Sequence, residues 1–248
     1  MRSIFAALAA GTIILSGAAD AAEIKVIASP GVREAYNELV PQFEKASGHH
    51  VTVIWDGVTN VAKRVAGGEP ADIVILPAAQ IEDLTRQGKL AAGSRTDVAR
   101  SGIGVAVRVG APKPDLRSGE ALKNALLKAE TIAYSTGPSG VYIQRLLQQW
   151  GIADAVKARI VVAPTNTPVG EILAKGGAEI GFQQVSELIN IKGIEFLGPL
   201  PSDVQDVTPF AAALHTSAAA PDAAKALMKF LSAPTAASAF KRAGMEPA

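Results

Sequence analysis

Residues 67–76 read Gly-Gly-Glu-Pro-Ala-Asp-Ile-Val-Ile-Leu. The glycine pair ends whatever helix precedes it, and Glu-Pro-Ala turns the chain. The run Asp72–Leu76 that follows does not alternate. A strand with one wet face alternates apolar and polar residues; an unbroken Ile/Val run belongs to a parallel sheet covered on both faces. Upstream, Ile24–Ala28 and Val51–Trp55 read as two more strands. Between them Val32, Ala35, Tyr36, Leu39, Val40 and Phe43 share one face of a helix over 32–47, which Gly48 ends. Pro41 is expected to kink or shorten that helix. Asn60–Ala66 and Ala78–Arg86 read as helices, the second ended by Gly88. This βαβαβα order predicts an open, mostly parallel sheet flanked by helices.

A second unit of the same kind follows. Strands are expected at Ile103–Val107, Thr131–Tyr134, Ile160–Ala163, Glu179–Phe182 and Ile194–Leu197, with helices over 118–128, 141–150, 169–175 and 186–190. Val207–Leu214 reads as a late β segment, and helices at Ala223–Leu231 and Thr235–Arg242 close the chain. No repeat, low-complexity tract or Pro/Ser-rich linker separates the units, so hinge strands rather than a loose tether should join them.

Composition narrows the function. Of 248 residues, 48% are hydrophobic and 19% charged, enough for a core and too little charge for a disordered chain. Lys+Arg total 24 against 23 Asp+Glu, so no concentrated basic face for nucleic acid is expected. With no cysteine, disulfide scaffolds, thiolate metal sites and cysteine nucleophiles are excluded. With three histidines, two of them the adjacent His49-His50, metal or histidine chemistry has little material. No metal or cofactor is expected.

The chain opens on Met1-Arg2, an apolar stretch from Ile4 to Leu15, and Ser16-Gly17-Ala18-Ala19-Asp20-Ala21-Ala22. A basic start, a short apolar run and a small-x-small end form an export signal over 1–22, cleaved after Ala21 or Ala22. The run is shorter than the roughly 20 apolar residues of a membrane span. A soluble, exported protein without a lipid-bearing cysteine is expected in the periplasm.

Three segments carry a family resemblance. Gly-Gly-Glu-Pro-Ala-Asp-Ile-Val-Ile (67–75), Gly-Pro-Ser-Gly-Val-Tyr (137–142) and Ala-Ala-Ser-Ala-Phe-Lys-Arg-Ala-Gly-Met (236–245) resemble segments of the periplasmic molybdate-binding proteins, within the type II solute-binding proteins of ABC importers. The resemblance implies a two-lobed periplasmic-binding fold, each lobe an open α/β sheet. Lobe one would hold 23–100 and 208–248 and lobe two 101–207, with the solute in the cleft between them.

In such sheets ligands sit outside the carboxyl ends of the strands, where unpaired N–H groups at helix starts favour anions. Four junctions have that character: Ser29-Pro30-Gly31, Gly57-Val58-Thr59-Asn60, Gly137-Pro138-Ser139-Gly140 and Thr165-Asn166-Thr167. The family's ligand positions, carried over through the resemblance, fall on Gly31 and Val58 where it has serines, with Ser29 and Thr59 beside them. They fall on Ser139 and Asn166 where it donates through the backbone, and on Gln184 where it has a tyrosine. Two hydroxyls and a phenol are thus lost, each leaving oxyanion lone pairs unpaired at about 1–3 kcal/mol. A small organic anion therefore suits these loops better than molybdate. Arg100, at the expected first crossing, is a candidate to grip a carboxylate. Arg33 and Lys63 are expected to face solvent.

Two activities compete. One is a monomeric periplasmic receptor that delivers a small anion, carboxylate or oxyanion, to ABC permease subunits. The other is an isomerase on the same fold, similar to aconitate isomerases, which shift a proton and a double bond on a tricarboxylate. Such chemistry needs a general base, for which the sequence offers no Ser-His-Asp set or metal cluster; Ser139, Arg100 and Asp56 are the candidates.

Overall fold

A computed structural model describes residues 21–248; the export signal expected over 1–22 lies outside the described residues except for Ala21 and Ala22. The first lobe begins β1 (Glu23–Ala28), α1 (Arg33–Ser47), β2 (His50–Trp55), α2 (Val58–Ala66), β3 (Ile73–Pro77), α3 (Ala78–Arg86). β4 (Thr96–Arg108) then runs into the second lobe, which holds α4 (Gly119–Leu126), β5 (Ile132–Tyr134), α5 (Pro138–Gln149), α6 (Ala153–Val156), β6 (Ile160–Val162), α7 (Val169–Ala174), β7 (Ile180–Gln184), α8 (Val185–Leu188) and β8 (Ile194–Pro199). The chain returns through β9 (Val207–Leu214) and closes with α9 (Pro221–Leu231), α10 (Ala237–Arg242) and β10 (Glu246–Pro247).

The 72–76 run behaves as its composition demands. Ile73 and Ile75 pack toward α1, α9 and α10, whereas Val74 and Leu76 pack toward α2 and α3. All four are buried, each contributing roughly 1.5–3 kcal/mol. Strand order in the first lobe is β2-β1-β3-β9-β4; β1 is parallel to β2 and β3, and β9 is antiparallel to both its neighbours. In the second lobe the order is β4-β7-β5-β6, with β8 also on β4.

β4 joins the lobes. Its residues 96–102 pair with β9, and its residues 103–108 pair with β7 and β8. The sequence showed only the second half of this strand as apolar, because the first half alternates and carries a bulge between Asp97 and Ala99. Beside the crossing, the Gln205 side chain pairs with Ile103 like a strand: its Oε1 accepts the Ile103 N–H at 2.8 Å and its Nε2 donates to the Ile103 carbonyl at 3.0 Å.

Pro41 does not break α1, which runs unbroken from Arg33 to Ser47. The carbonyl Pro41 cannot bond is that of Asn37, and both residues are on the exposed face, open to solvent.

The β5–α5 turn is held by contact rather than by a capping side chain. A Cβ on Gly140 would lie 1.6 Å from the Ser135 carbonyl oxygen, so this helix can start here only with glycine. Gly140→Ala should cost about 1–3 kcal/mol or more. A urea-denaturation midpoint unchanged from wild type would show that the turn gives way freely.

Candidate functional site

The four junctions meet. Ser29, Gly31, Val58, Thr59, Gly137, Ser139, Thr165, Asn166 and Gln184 line one cavity between the lobes, together with Arg33, Gln183 and Glu187. The cavity measures about 90 Å³. This is the scale of a compact solute.

Three helices of two turns or more point their starts at it: α1 behind the turn at Pro30–Val32, α2 from Val58, and α5 from Pro138. The first N–H groups of α2, and those of α5 that follow Pro138, have no intrahelical partner, whereas the Arg33 N–H that opens α1 donates to the Pro30 carbonyl. The Thr165-Asn166-Thr167 junction works differently. α7 holds only six residues, and its first N–H, on Val169, is taken by the Gln183 Oε1 at 2.8 Å. This junction offers the cleft side chains rather than a helix end.

Arg33 reaches the cavity because a 3-10 turn precedes α1, and side chains in the first turn lean toward the helix start. Its guanidinium stacks on Trp55, 5.0 Å from the ring centroid. The Arg33 Nε is buried with no hydrogen-bond partner, and so is the Ser29 hydroxyl. Two polar groups left unpaired at one cavity wall mark a place where a ligand supplies the missing partner.

Glu187 lines the same cavity. Its Oε1 accepts from the Gln183 Nε2 at 2.8 Å. Gln183 cannot turn over, because its own oxygen is fixed by the Val169 N–H. Burial pushes the Glu187 carboxyl up to about 7, opposed by the Gln183 hydrogen bond and the Arg33 charge.

A clasp closes the cleft at its rim. The Asn166 Oδ1 accepts the Gly57 N–H at 2.7 Å, and its Nδ2 donates to the Asp56 Oδ1 at 2.8 Å. Asn166 is left-handed, with φ of 69°. Burial of Asp56 raises its pKa, but donation from Asn60, Asn166 and the Gly57 N–H and the Arg64 charge outweigh this, and the carboxyl lies below its usual range.

Two sequence candidates lie elsewhere. Asn60 does not line the cavity; it donates to Asp56 at 2.9 Å. Arg100 is half-exposed on the outer side, 3.9 Å from Glu246. Strand alternation turns Arg100 outward and its neighbour Ser101 inward, where the Ser101 hydroxyl meets Ser186. Gln184 faces the cavity, but its amide is committed. Carbonyls can only accept, so its NH2 faces Ser101 and Gly102 at 3.0 and 3.2 Å while its oxygen accepts from the Thr208 hydroxyl at 2.9 Å. Arg33, expected to face solvent, lines the cavity instead, and Lys63 does not. Glu187, in the short helix α8 just after β7, carried no signal in the sequence that marked it as a site residue.

Comparison with known proteins places this geometry. The sequence profile of the bacterial extracellular solute-binding proteins matches residues 24–246. The chain is 36% identical to an aconitate isomerase of Pseudomonas sp, over 97% of this chain and 95% of the relative. It is 28% identical to the molybdate-binding protein ModA of Azotobacter vinelandii, over 96% and 95%. The solved periplasmic molybdate-binding protein of Azotobacter vinelandii superposes with a TM-score of 0.75 at 24% identity, covering 90% of this chain and 98% of that one.

Two outcomes follow from the cleft. An acid whose folded pKa exceeds its unfolded value near 4.5 favours the folded chain while protonated. Glu187 therefore stabilises the fold fully below about 4.5, and this is lost as pH rises through about 7. Glu187→Gln should remove that part of the decline; identical stability–pH curves for both proteins would contradict it. Asn166→Gly keeps the left-handed backbone and deletes the clasp. It should open the unliganded lobes, read as a larger radius of gyration by small-angle scattering; an unchanged radius would mean the clasp holds nothing.

Proposed function

Since the chain belongs to the bacterial extracellular solute-binding proteins, among the relatives of the periplasmic molybdate-binding proteins, we propose that its cleft closes on a small organic polycarboxylate and isomerises it, as an aconitate isomerase. One observation carries the reading: a guanidinium with an unpartnered Nε stands in the cavity wall beside an unpartnered serine hydroxyl. A planar guanidinium matches a planar carboxylate through two parallel hydrogen bonds. Further carboxylates of the same molecule find the N–H groups at the starts of α2 and α5.

The near full-length identity to an aconitate isomerase supports the substrate class and the reaction. The loss of family hydroxyls at Gly31 and Val58, and the carboxyl of Glu187, both speak against a tetrahedral dianion. The export-type start of the chain supports a periplasmic location for the mature protein.

The near full-length match to molybdate-binding proteins favours a second reading, a receptor that passes its anion to the membrane subunits of an ABC importer. In that case the lobes close, the ligand leaves unchanged, and no proton moves.

The test is a melting-temperature panel with the mature protein, followed by NMR of the ligands that bind. A ligand at a hundred times its Kd adds about 2.7 kcal/mol, or roughly 5–10 °C for a chain of this size. Trans-aconitate should give such a shift and be converted to the cis isomer. A shift with molybdate alone, or with no ligand, would sink the polycarboxylate reading; binding of aconitate without conversion would leave the receptor. Arg33→Gln should abolish the aconitate shift while leaving the ligand-free melting temperature within a few degrees of wild type.

A further inference from the structure

We propose that Glu187 carries the proton in this cleft: its carboxylate takes a proton from a methylene of the bound polycarboxylate and returns it to the carbon at the far end of the neighbouring double bond. The inference rests on the isomerase reading above and assigns that reaction its catalytic residue.

The cavity leaves no rival. Among the described residues that line it, Arg33 and Glu187 are the ones with titratable side chains, and a guanidinium does not act as a base at neutral pH. None of the histidines lines it. Asp56 sits at the rim and already accepts from Asn60, Asn166 and the Gly57 N–H, which leaves it a weak base. The Ser135 and Ser139 hydroxyls face each other at 3.2 Å with no basic group beside them.

The carboxyl is built for the task. Gln183, itself fixed by the Val169 N–H, holds the Glu187 Oε1, while Oε2 accepts nothing from the described residues and is left for the substrate. Around α8 pack β4, β7, β8, α7 and the 30–32 turn that leads into α1, and of these only the last brings a charge that acts on the carboxyl, Arg33. Arg33 and Glu187 both line the cavity and are not paired with each other, so each keeps hydrogen-bonding capacity for the substrate. Burial places the carboxyl near neutrality, where a group can both take and give a proton at physiological pH.

The step balances without a co-reactant. The C–H bond of the methylene breaks, its electron pair forms a new C=C bond, and the charge spreads into the carboxylate at the far end of the allylic system. Arg33 and the free N–H groups of α2 and α5 stabilise that charge. The protonated Glu187 then delivers the same proton to the former vinylic carbon, and the double bond has moved by one position.

The mature protein and its Glu187→Gln variant are compared on trans-aconitate by NMR and by melting temperature. The variant should lose about 10²–10⁴ in kcat while trans-aconitate still raises its melting temperature. A variant that turns over within tenfold of wild type overturns the assignment and leaves the isomerase reading standing. A second measurement does not depend on the variant folding: wild-type kcat/KM should rise with pH to a plateau, through an apparent pKa near 7, and a flat profile from pH 5 to 9 overturns the assignment as well. A wild type that binds trans-aconitate and never converts it overturns the isomerase reading itself, and Glu187 falls with it.

Discussion

The turn at Pro30–Val32 can lie where it does because residue 31 has no side chain. A Cβ there would stand 2.4 Å from the tip of the Phe210 ring, which comes from β9 beside the lobe crossing. That close approach sets the direction in which α1 starts. It excludes a serine at the position where the resemblance to molybdate-binding proteins implies one. It also brings Arg33, two residues on, into the cavity wall. One aromatic ring in the strand that returns from the second lobe thus exchanges a hydroxyl donor for a guanidinium.

The exchange changes what the cleft can hold. Neutral donors and helix starts bind an anion without charge of their own and do so at any pH. A carboxylate in the same cavity is a liability to such a site: at 4 Å and an effective dielectric of 20, two like charges repel by about 4 kcal/mol. Glu187 tolerates this position because burial keeps it partly protonated and because Arg33 offsets its charge. A site that moves a proton on an anion needs both charges and needs them apart, one to fix the substrate and one to react with it.

How much of this is legible in sequence follows from range. β3 was readable because a strand buried on both faces leaves a local mark, an apolar run without alternation, and the fold divides its side chains between two cores. The helix-start junctions were readable because small residues and hydroxyls cluster just before apolar periodic stretches. Arg33 and Glu187 were not, because their meaning lies in each other, and they lie 154 positions apart in the chain. Arg100 misled for a related reason. Its place near the crossing was right, but strand alternation, invisible beside an unrecognised half of β4, turned it to the outside.

The end of β7 draws the mechanics together. Within four residues, Gln183 holds Glu187, Gln184 is bonded to the hinge strands at Ser101, Gly102 and Thr208, and the Ser186 hydroxyl donates to the Gly31 carbonyl at 2.7 Å. The segment that carries the carboxyl is therefore tied to both crossing strands and to the turn that aims Arg33. Its orientation is set by contacts at the hinge. What closure adds comes from the far rim, where Asn166 reaches across to Gly57 and Asp56. Closing there expels water from a cavity whose charges are already in place, and electrostatic interactions strengthen as the solvent leaves. On the isomerase reading the hinge side would hold the reacting groups and the rim side would isolate them, so that loosening the clasp leaves Arg33 and Glu187 in place.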